Sequence, residues 1–171
     1  MLPLRILTLN ASGLAAPGRR ENLFRFLRTS TAHVACIQEV HANPDHVDQW
    51  TREWGGAASW NRYTAILLSP SLGSATFSVS FGGRVLATTF SFQGWSFTVC
   101  NIYAPADVPS QSTFFNDLSR STLSSSSYDF LAGDWNSYPD PQRDRNSAVA
   151  YRRQLTWPRL LPFLESFYDA A

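Results

Sequence analysis

Lysine is missing from this 171-residue chain: all 14 basic residues are arginine, a bias that carries no function by itself. Charge of either sign is scarce, with 16% charged residues and a formal net charge of +1. No strong overall field therefore draws the protein to nucleic acid or to a membrane, and a polyanionic partner has to be held locally. Cysteine is limited to Cys36 and Cys100, each inside an apolar, strand-like run where a free thiol behaves as a small hydrophobe. That argues against a zinc site or a disulfide framework. The N-terminus, "MLPLRILTLNASG", has too short an apolar stretch for a secretory signal and no small-residue cleavage pattern behind it. The longest uncharged run, residues 85–106, carries Gln93-Gly94 in its middle and alternates Trp95, Phe97 and Val99 with Ser96, Thr98 and Cys100. That is the pattern of a hairpin, and no membrane partner is expected from it.

What is present is apolar material, 44% of the residues, enough to bury the core of one domain, so residues 1–171 read as a single unit. Residues 4–10 read as a strand and "ASGLAAPG" as a loop. Residues 20–28 place Leu23, Phe24 and Leu27 at helical spacing. "HVACIQE", residues 33–39, is a nearly continuous apolar run ending in an acid, the signature of a strand covered on both faces. A short helix is expected after Pro44. A strand over 61–69 follows, then a meander of strands over 76–80, 84–92 and 95–103 with Gly82-Gly83 and Gln93-Gly94 as turns. A helix over 111–123, a serine-rich link and a strand ending in "GDWN" come next, and the segment 147–171 reads as two helical pieces split at Pro158. There is no internal repeat. Strands mixed with helices in this order predict an α/β or α+β class, a sheet covered by helices.

Four polar signals stand at strand exits: Asn10 in "LTLNASGL", Glu39 in "CIQEVH", Asn101 and Tyr103 in "VCNIYAP", and Asp134 and Asn136 in "GDWN". Taken singly, each reads as a solvated terminus or a helix cap; four together are chemically coherent. Strand ends hold side chains rigidly and leave them reachable. Glu39 with Asn10 offers hard oxygen ligands suited to Mg²⁺, which takes one or two carboxylates and keeps several waters for phosphate oxygens to replace. A metal so held stabilises charge on a phosphodiester under attack by water. Asp134 is suited to orient or deprotonate that water, Asn136 to donate to a non-bridging oxygen, and Tyr103 to add a phenolic donor.

In this order and spacing, "LTLNASGL", "CIQEVH", "TAILLSP", "NIYAP" and "LAGDWNS" resemble the endonuclease/exonuclease/phosphatase superfamily, also called deoxyribonuclease I-like. They are similar to the apurinic-endonuclease-type domain of non-LTR retrotransposons, whose sequences read "LNVNGL", "LQETH", "GVAILLSP", "VYAP" and "GGDFN" followed by "DR". Asp144-Arg145 falls where that last pair stands. "GDWN" is the most specific of these motifs, and the set covers nearly the whole chain. Departures are Ser12 in place of Asp or Asn, Trp135 in place of Phe, and Thr64 in place of the glycine before "AILLSP".

The resemblance implies a two-sheet sandwich flanked by helices, with the site at the strand ends. It implies Asn10 and Glu39 at a Mg²⁺ or Mn²⁺ ion, Asp134, Asn136 and Tyr103 as catalytic groups, and His41, Asn101 and Arg145 on the substrate side. On the residues alone, His41 reads equally well as an exposed loop histidine. DNA is the implied substrate, and an intracellular setting, the nucleus included, is expected; oligomeric state is not legible.

The family's second half carries a strand with a "TW"-type pattern and a terminal "SDH" whose Asp and His complete the site. The histidines here are His33, His41 and His46, and none follows Asp134. A C-terminally incomplete fold is therefore expected, and a weak or inactive enzyme, since losing a general acid–base group lowers rates by about 10² to 10⁴. Two alternatives stay open: a non-catalytic remnant serving as a binding module, or a phosphatase or phosphodiesterase acting on phosphoinositide or sphingolipid headgroups. The arginines Arg143, Arg145, Arg152 and Arg153 form a modest cluster that reads more readily as a solvated helix face than as a nucleic-acid stripe.

Overall fold

The structure, a computed structural model, describes residues 3–73, 75–121, 123 and 127–137. Arg145, the arginine cluster and the two helical pieces expected over 147–171 lie outside the described residues. The chain divides into two compact units, Met1–Tyr103 with Tyr128–Gly133, and Ala104–Ser127 with Asp134–Ala171.

The first unit holds two sheets. In one, β1 (Ile6–Asn10) runs parallel to β2 (Val34–Gln38), which pairs antiparallel with β4 (Thr64–Leu68), itself antiparallel to β3 (Ala58–Trp60). Two helices, α1 (Pro17–Thr29) and α2 (Pro44–Trp54), connect these strands. The other sheet has the order β5 (Ala75–Phe81), β6 (Val85–Phe92), β7 (Trp95–Tyr103) and β8 (Phe130–Asp134), and the last residue of β8 belongs to the second unit. β2 is buried at all five positions, as its unbroken apolar run predicts. The strand's period of two divides it between two cores. Ala35 and Ile37 join Leu14, Phe24, Leu27, Trp50 and Trp54 under the helices. Val34 and Cys36 join Ile66, Leu68, Leu86, Phe90 and Val99 between the sheets. The layers are therefore helix, sheet and sheet.

One polar side chain ties the sheets together inside that second layer. Asn101 of β7 is fully buried, donating through Nδ2 to the carbonyls of Ile37 (3.0 Å) and Ala65 (2.9 Å), while its Oδ1 accepts from Gln38 Nε2 (2.7 Å). A buried amide is tolerable only when its donors and acceptor are met, and here they are.

The helices start earlier than apolar periodicity suggests. Residues 17–19 carry no apolar stripe, but Pro17 sits at the first turn of α1, where its missing N–H is not needed. The arginine behind it ties this helix to its neighbour: Arg20 is buried and makes a two-pronged pair with Glu53 of α2, Nε to Oε2 at 2.6 Å and Nη2 to Oε1 at 3.0 Å. β3 has three residues and no alternation long enough to read from sequence. Gly133 in β8 has a structural reason: with φ 151°, a Cβ there would lie 2.0 Å from the Ile102 carbonyl oxygen, so no larger residue fits.

In the second unit, α3 (Val108–Arg120) begins one turn before its apolar pattern because Asp107 caps the Ser110 amide at 2.9 Å. It buries Gln111, Phe114, Phe115 and Leu118. No helix among the described residues is long and apolar enough to cross a membrane.

Candidate functional site

The exits of β1 and β2 lie side by side, because the pairing of the two strands continues into their loops. The amides of Ala11, Gly13 and Leu14 donate to the carbonyls of Gln38, Glu39 and Val40 at 2.9, 2.7 and 3.0 Å. This puts Asn10 next to Glu39. Along these loops Ser12, Glu39 and His41 all take left-handed backbone angles, with φ of 48°, 53° and 50°. Such conformations are costly for residues other than glycine and cluster where a side chain has to be aimed.

Glu39 is the side chain so aimed. Its Oε1 accepts from Asn10 Nδ2 at 2.8 Å and from the Tyr103 hydroxyl at 2.9 Å, so three strands contribute to holding one carboxylate. The Asn10 hydrogen bond is the main cause that keeps the Glu39 carboxyl below its ordinary range; partial burial opposes it, and Tyr103 and the nearby His41 reinforce it. Asn10 is fixed in turn, because its Oδ1 accepts the Ser12 amide at 2.9 Å. The ring of Tyr103 rests on Arg84, whose guanidinium lies 4.9 Å from the Tyr103 centroid and 4.4 Å from that of Tyr63. Arg84 also donates to the Tyr103 carbonyl at 3.2 Å. His41 is exposed and meets Tyr63 edge-on at 5.6 Å. Tyr63 and Arg84 were not singled out in the sequence, where each is one polar residue at a strand boundary; the stacking needs three-dimensional neighbours to be visible.

Asn101, expected on the substrate side, is the buried clamp described above. Period two set it on the same face as Tyr103, but it lies deeper in the strand, where that face is covered.

In the second unit, "GDWN" closes as a tight turn. Asp134 Oδ1 accepts the Asn136 amide at 3.0 Å, and Asn136 is left-handed with φ 46°. Asn136 Nδ2 donates to the Ala104 carbonyl at 2.8 Å, and Gln111 Nε2 donates to the carbonyls of Trp135 and Asn136 at 2.9 and 3.1 Å. Trp135 stacks on Phe115 with ring planes 21° apart. The structure thus joins Asn10, Glu39 and Tyr103 in one group and Asp134 with Asn136 in another, each within its own unit.

The sequence resemblance implies a divalent metal at this site. Among the described residues no three His, Cys, Asp or Glu side chains gather to cage an ion. A hard cation that keeps most of its waters needs no such cage, and Glu39 fits it: one carboxylate oxygen is held by two donors, and the other, Oε2, makes no hydrogen bond among the described residues.

Residues 7–168 match the model of the Endonuclease/Exonuclease/phosphatase family. The transposon TX1 uncharacterized 149 kDa protein of Xenopus laevis is 32% identical over 155 residues, covering 85% of this chain; the chain spans 12% of that relative's length. Among solved structures, the AP endonuclease LMAP from Leishmania major superposes with a TM-score of 0.62 at 17% identity, covering 95% of this chain and 65% of its own. The endonuclease domain of TRAS1, a telomere-specific non-LTR retrotransposon, superposes with a TM-score of 0.55 at 14% identity, covering 94% and 71%. The layered sheets and flanking helices are those of the deoxyribonuclease I-like fold, and the chain belongs to the endonuclease/exonuclease/phosphatase family.

Proposed function

We propose that this chain is a divalent-metal-dependent phosphodiester hydrolase that cuts DNA, of the kind encoded by retrotransposons. The observation that carries the reading is the Glu39 carboxylate, held by Asn10 and Tyr103 at 2.8 and 2.9 Å with its pKa lowered. A carboxylate kept ionised and fixed in direction suits a hard cation better than a mobile one does, since less ordering remains to be done on binding.

Glu39 would hold Mg²⁺ or Mn²⁺, and such an ion supplies charge stabilisation for the phosphodiester as it is attacked. Asn10 would offer its Oδ1, which has one lone pair on the Ser12 amide and a second to give, to the same ion, while its Nδ2 orients the Glu39 carboxylate. Asp134 takes a proton from the attacking water, and Asn136 steadies the turn that carries Asp134 and donates to phosphate. Tyr103 donates a hydrogen bond from its hydroxyl to Glu39 and thereby keeps the carboxylate facing one way. His41, exposed and near Glu39, contacts the DNA backbone.

The test is nicking of supercoiled plasmid by the purified 171-residue chain, with Mg²⁺ and with chelator, beside Glu39→Ala and Asp134→Asn. Mg²⁺-dependent nicking that both substitutions abolish is the expected result. Cleavage that survives chelation and both substitutions overturns it. A folded chain that does not nick but binds DNA moves the function to the binding-module alternative.

A further inference from the structure

Next to His41 the first unit opens into a cleft of about 780 Å³, within the size range of small-molecule sites, about 300–1,000 Å³. Pro44, Val47 and Trp60 give its lining apolar surface, and His41, Asp48 and Arg62, all exposed, add polar groups. The Trp60 ring has a set orientation: Nε1 donates to Thr51 Oγ1 at 2.9 Å, and the ring meets Trp50 edge-on at 5.5 Å. Arg62 lies over the Tyr63 ring at 5.1 Å and makes no ion pair among the described residues. Asp48 is exposed on α2, and its carboxylate has no hydrogen bond there either.

We propose that this cleft receives an unstacked nucleobase of the DNA strand that the enzyme cuts, with flanking phosphates against Arg62 and His41. The proposal rests on the phosphodiester reading and adds a base-binding subsite to it. Three observations select that occupant. A carboxylate in the lining, Asp48, repels a phosphate but accepts from a ring or exocyclic N–H. A flat indole of fixed orientation matches a planar heteroaromatic ring, and stacking of this kind tolerates any base. Arg62 and His41 are exposed and line the same cleft, so a strand can keep its phosphates against them while one base turns inward. Because His41 is two residues beyond Glu39, the base would come from close to the cut phosphate.

The experiment uses a fluorescein-labelled single-stranded 10-mer titrated with the full chain in chelator, together with versions carrying one abasic position moved along the strand. Binding is expected to weaken about tenfold at one abasic position, the size of losing one base–aromatic stack. Val47→Trp, which fills the cleft, and Trp60→Leu are expected to weaken the intact 10-mer by a similar factor and to leave the 10-mer with the sensitive abasic position unchanged. Arg62→Ala should weaken both. Circular dichroism confirms folding, and Val47→Trp carries the test if Trp60→Leu does not fold. A flat abasic scan with unchanged Val47→Trp binding overturns the subsite, while plasmid nicking that still needs Glu39 leaves the phosphodiester reading standing. No binding of any 10-mer by the wild-type chain, with no nicking, overturns both.

Discussion

At the exit of β1, Asn10 accepts the amide of Ser12 at 2.9 Å and Ser12 turns left-handed, with φ 48°. At the exit of β8, Asp134 accepts the amide of Asn136 at 3.0 Å and Asn136 turns the same way, with φ 46°. The local device is one, a side-chain oxygen closing a turn on the amide two residues on. Its products differ. The first turn leaves the Asn10 Nδ2 aimed at Glu39 on another strand, so it serves a carboxylate. The second leaves the Asn136 Nδ2 aimed at the Ala104 carbonyl, so it braces backbone, and the carboxylate is itself the turn-closing group. Asparagine and aspartate close such turns equally well, so exchanging them separates the turn from the chemistry.

That exchange gives the largest expected effect. Asp134→Asn keeps the turn and the fold but removes the base, and the rate of Mg²⁺-dependent nicking should fall by about 10² to 10⁴ with an unchanged melting temperature. Asn10→Asp is the mirror experiment. It also keeps the turn, but it replaces a donor to Glu39 with a second negative charge and raises the Glu39 pKa, so Mg²⁺ binding should persist at neutral pH and fail at a higher pH than in the wild type as the medium is acidified. Isothermal titration with Mg²⁺ and a nicking assay, both at graded pH, check it.

A smaller effect concerns pH. Because the Glu39 pKa is lowered on folding, the carboxylate contributes stability above its unfolded value, and that contribution is lost as pH falls through the folded value. Tyr103→Phe removes one of the donors, so the folded value rises towards the ordinary one and both the stability loss and the acid limb of nicking should begin at higher pH. Denaturation midpoints and rates measured across the acid range read this directly.

The smallest effect is on strain. Ser12→Gly relieves a left-handed serine at the loss of only a long 3.4 Å contact from its hydroxyl to Asn10, for a net gain of about 0.5 kcal/mol. Asn136→Gly relieves the same angle but gives up the bond to Ala104, for a net loss of about 1 kcal/mol. Urea midpoints moving the same way in both variants would mean that the turns do not differ as described.

Much of the fold was legible because its strands are long relative to their period. β7 matches its expected bounds, and β2 reads from five consecutive buried residues. What stayed hidden was local and non-apolar. Pro17 and Asp107 start helices before any hydrophobic stripe begins, and β3 is shorter than two full alternations. At the site, residue type and strand-exit position pointed to Asn10, Glu39, Asp134 and Asn136, yet the left-handed angles at Ser12, Glu39 and His41 leave no mark in an L-residue sequence. Arg84 was hidden for another reason: its contacts with Tyr63 and Tyr103 join residues about 20 positions apart, at 4.4 and 4.9 Å, and only folding brings them together.

The Asn101 clamp has a consequence for how the chain finds its alignment during folding. A slide of β7 by two residues keeps every side chain on its proper face, so hydrophobic burial alone hardly distinguishes the correct alignment from its neighbours. Such a slide brings Val99 or Tyr103 to the carbonyls of Ile37 and Ala65 that Asn101 now serves. Valine offers no donor and tyrosine offers its hydroxyl far beyond reach, so two carbonyls in a dry layer would lose the side-chain donor they now have. One amide thus works as a proofreader, penalising misaligned pairings that apolar contacts would accept.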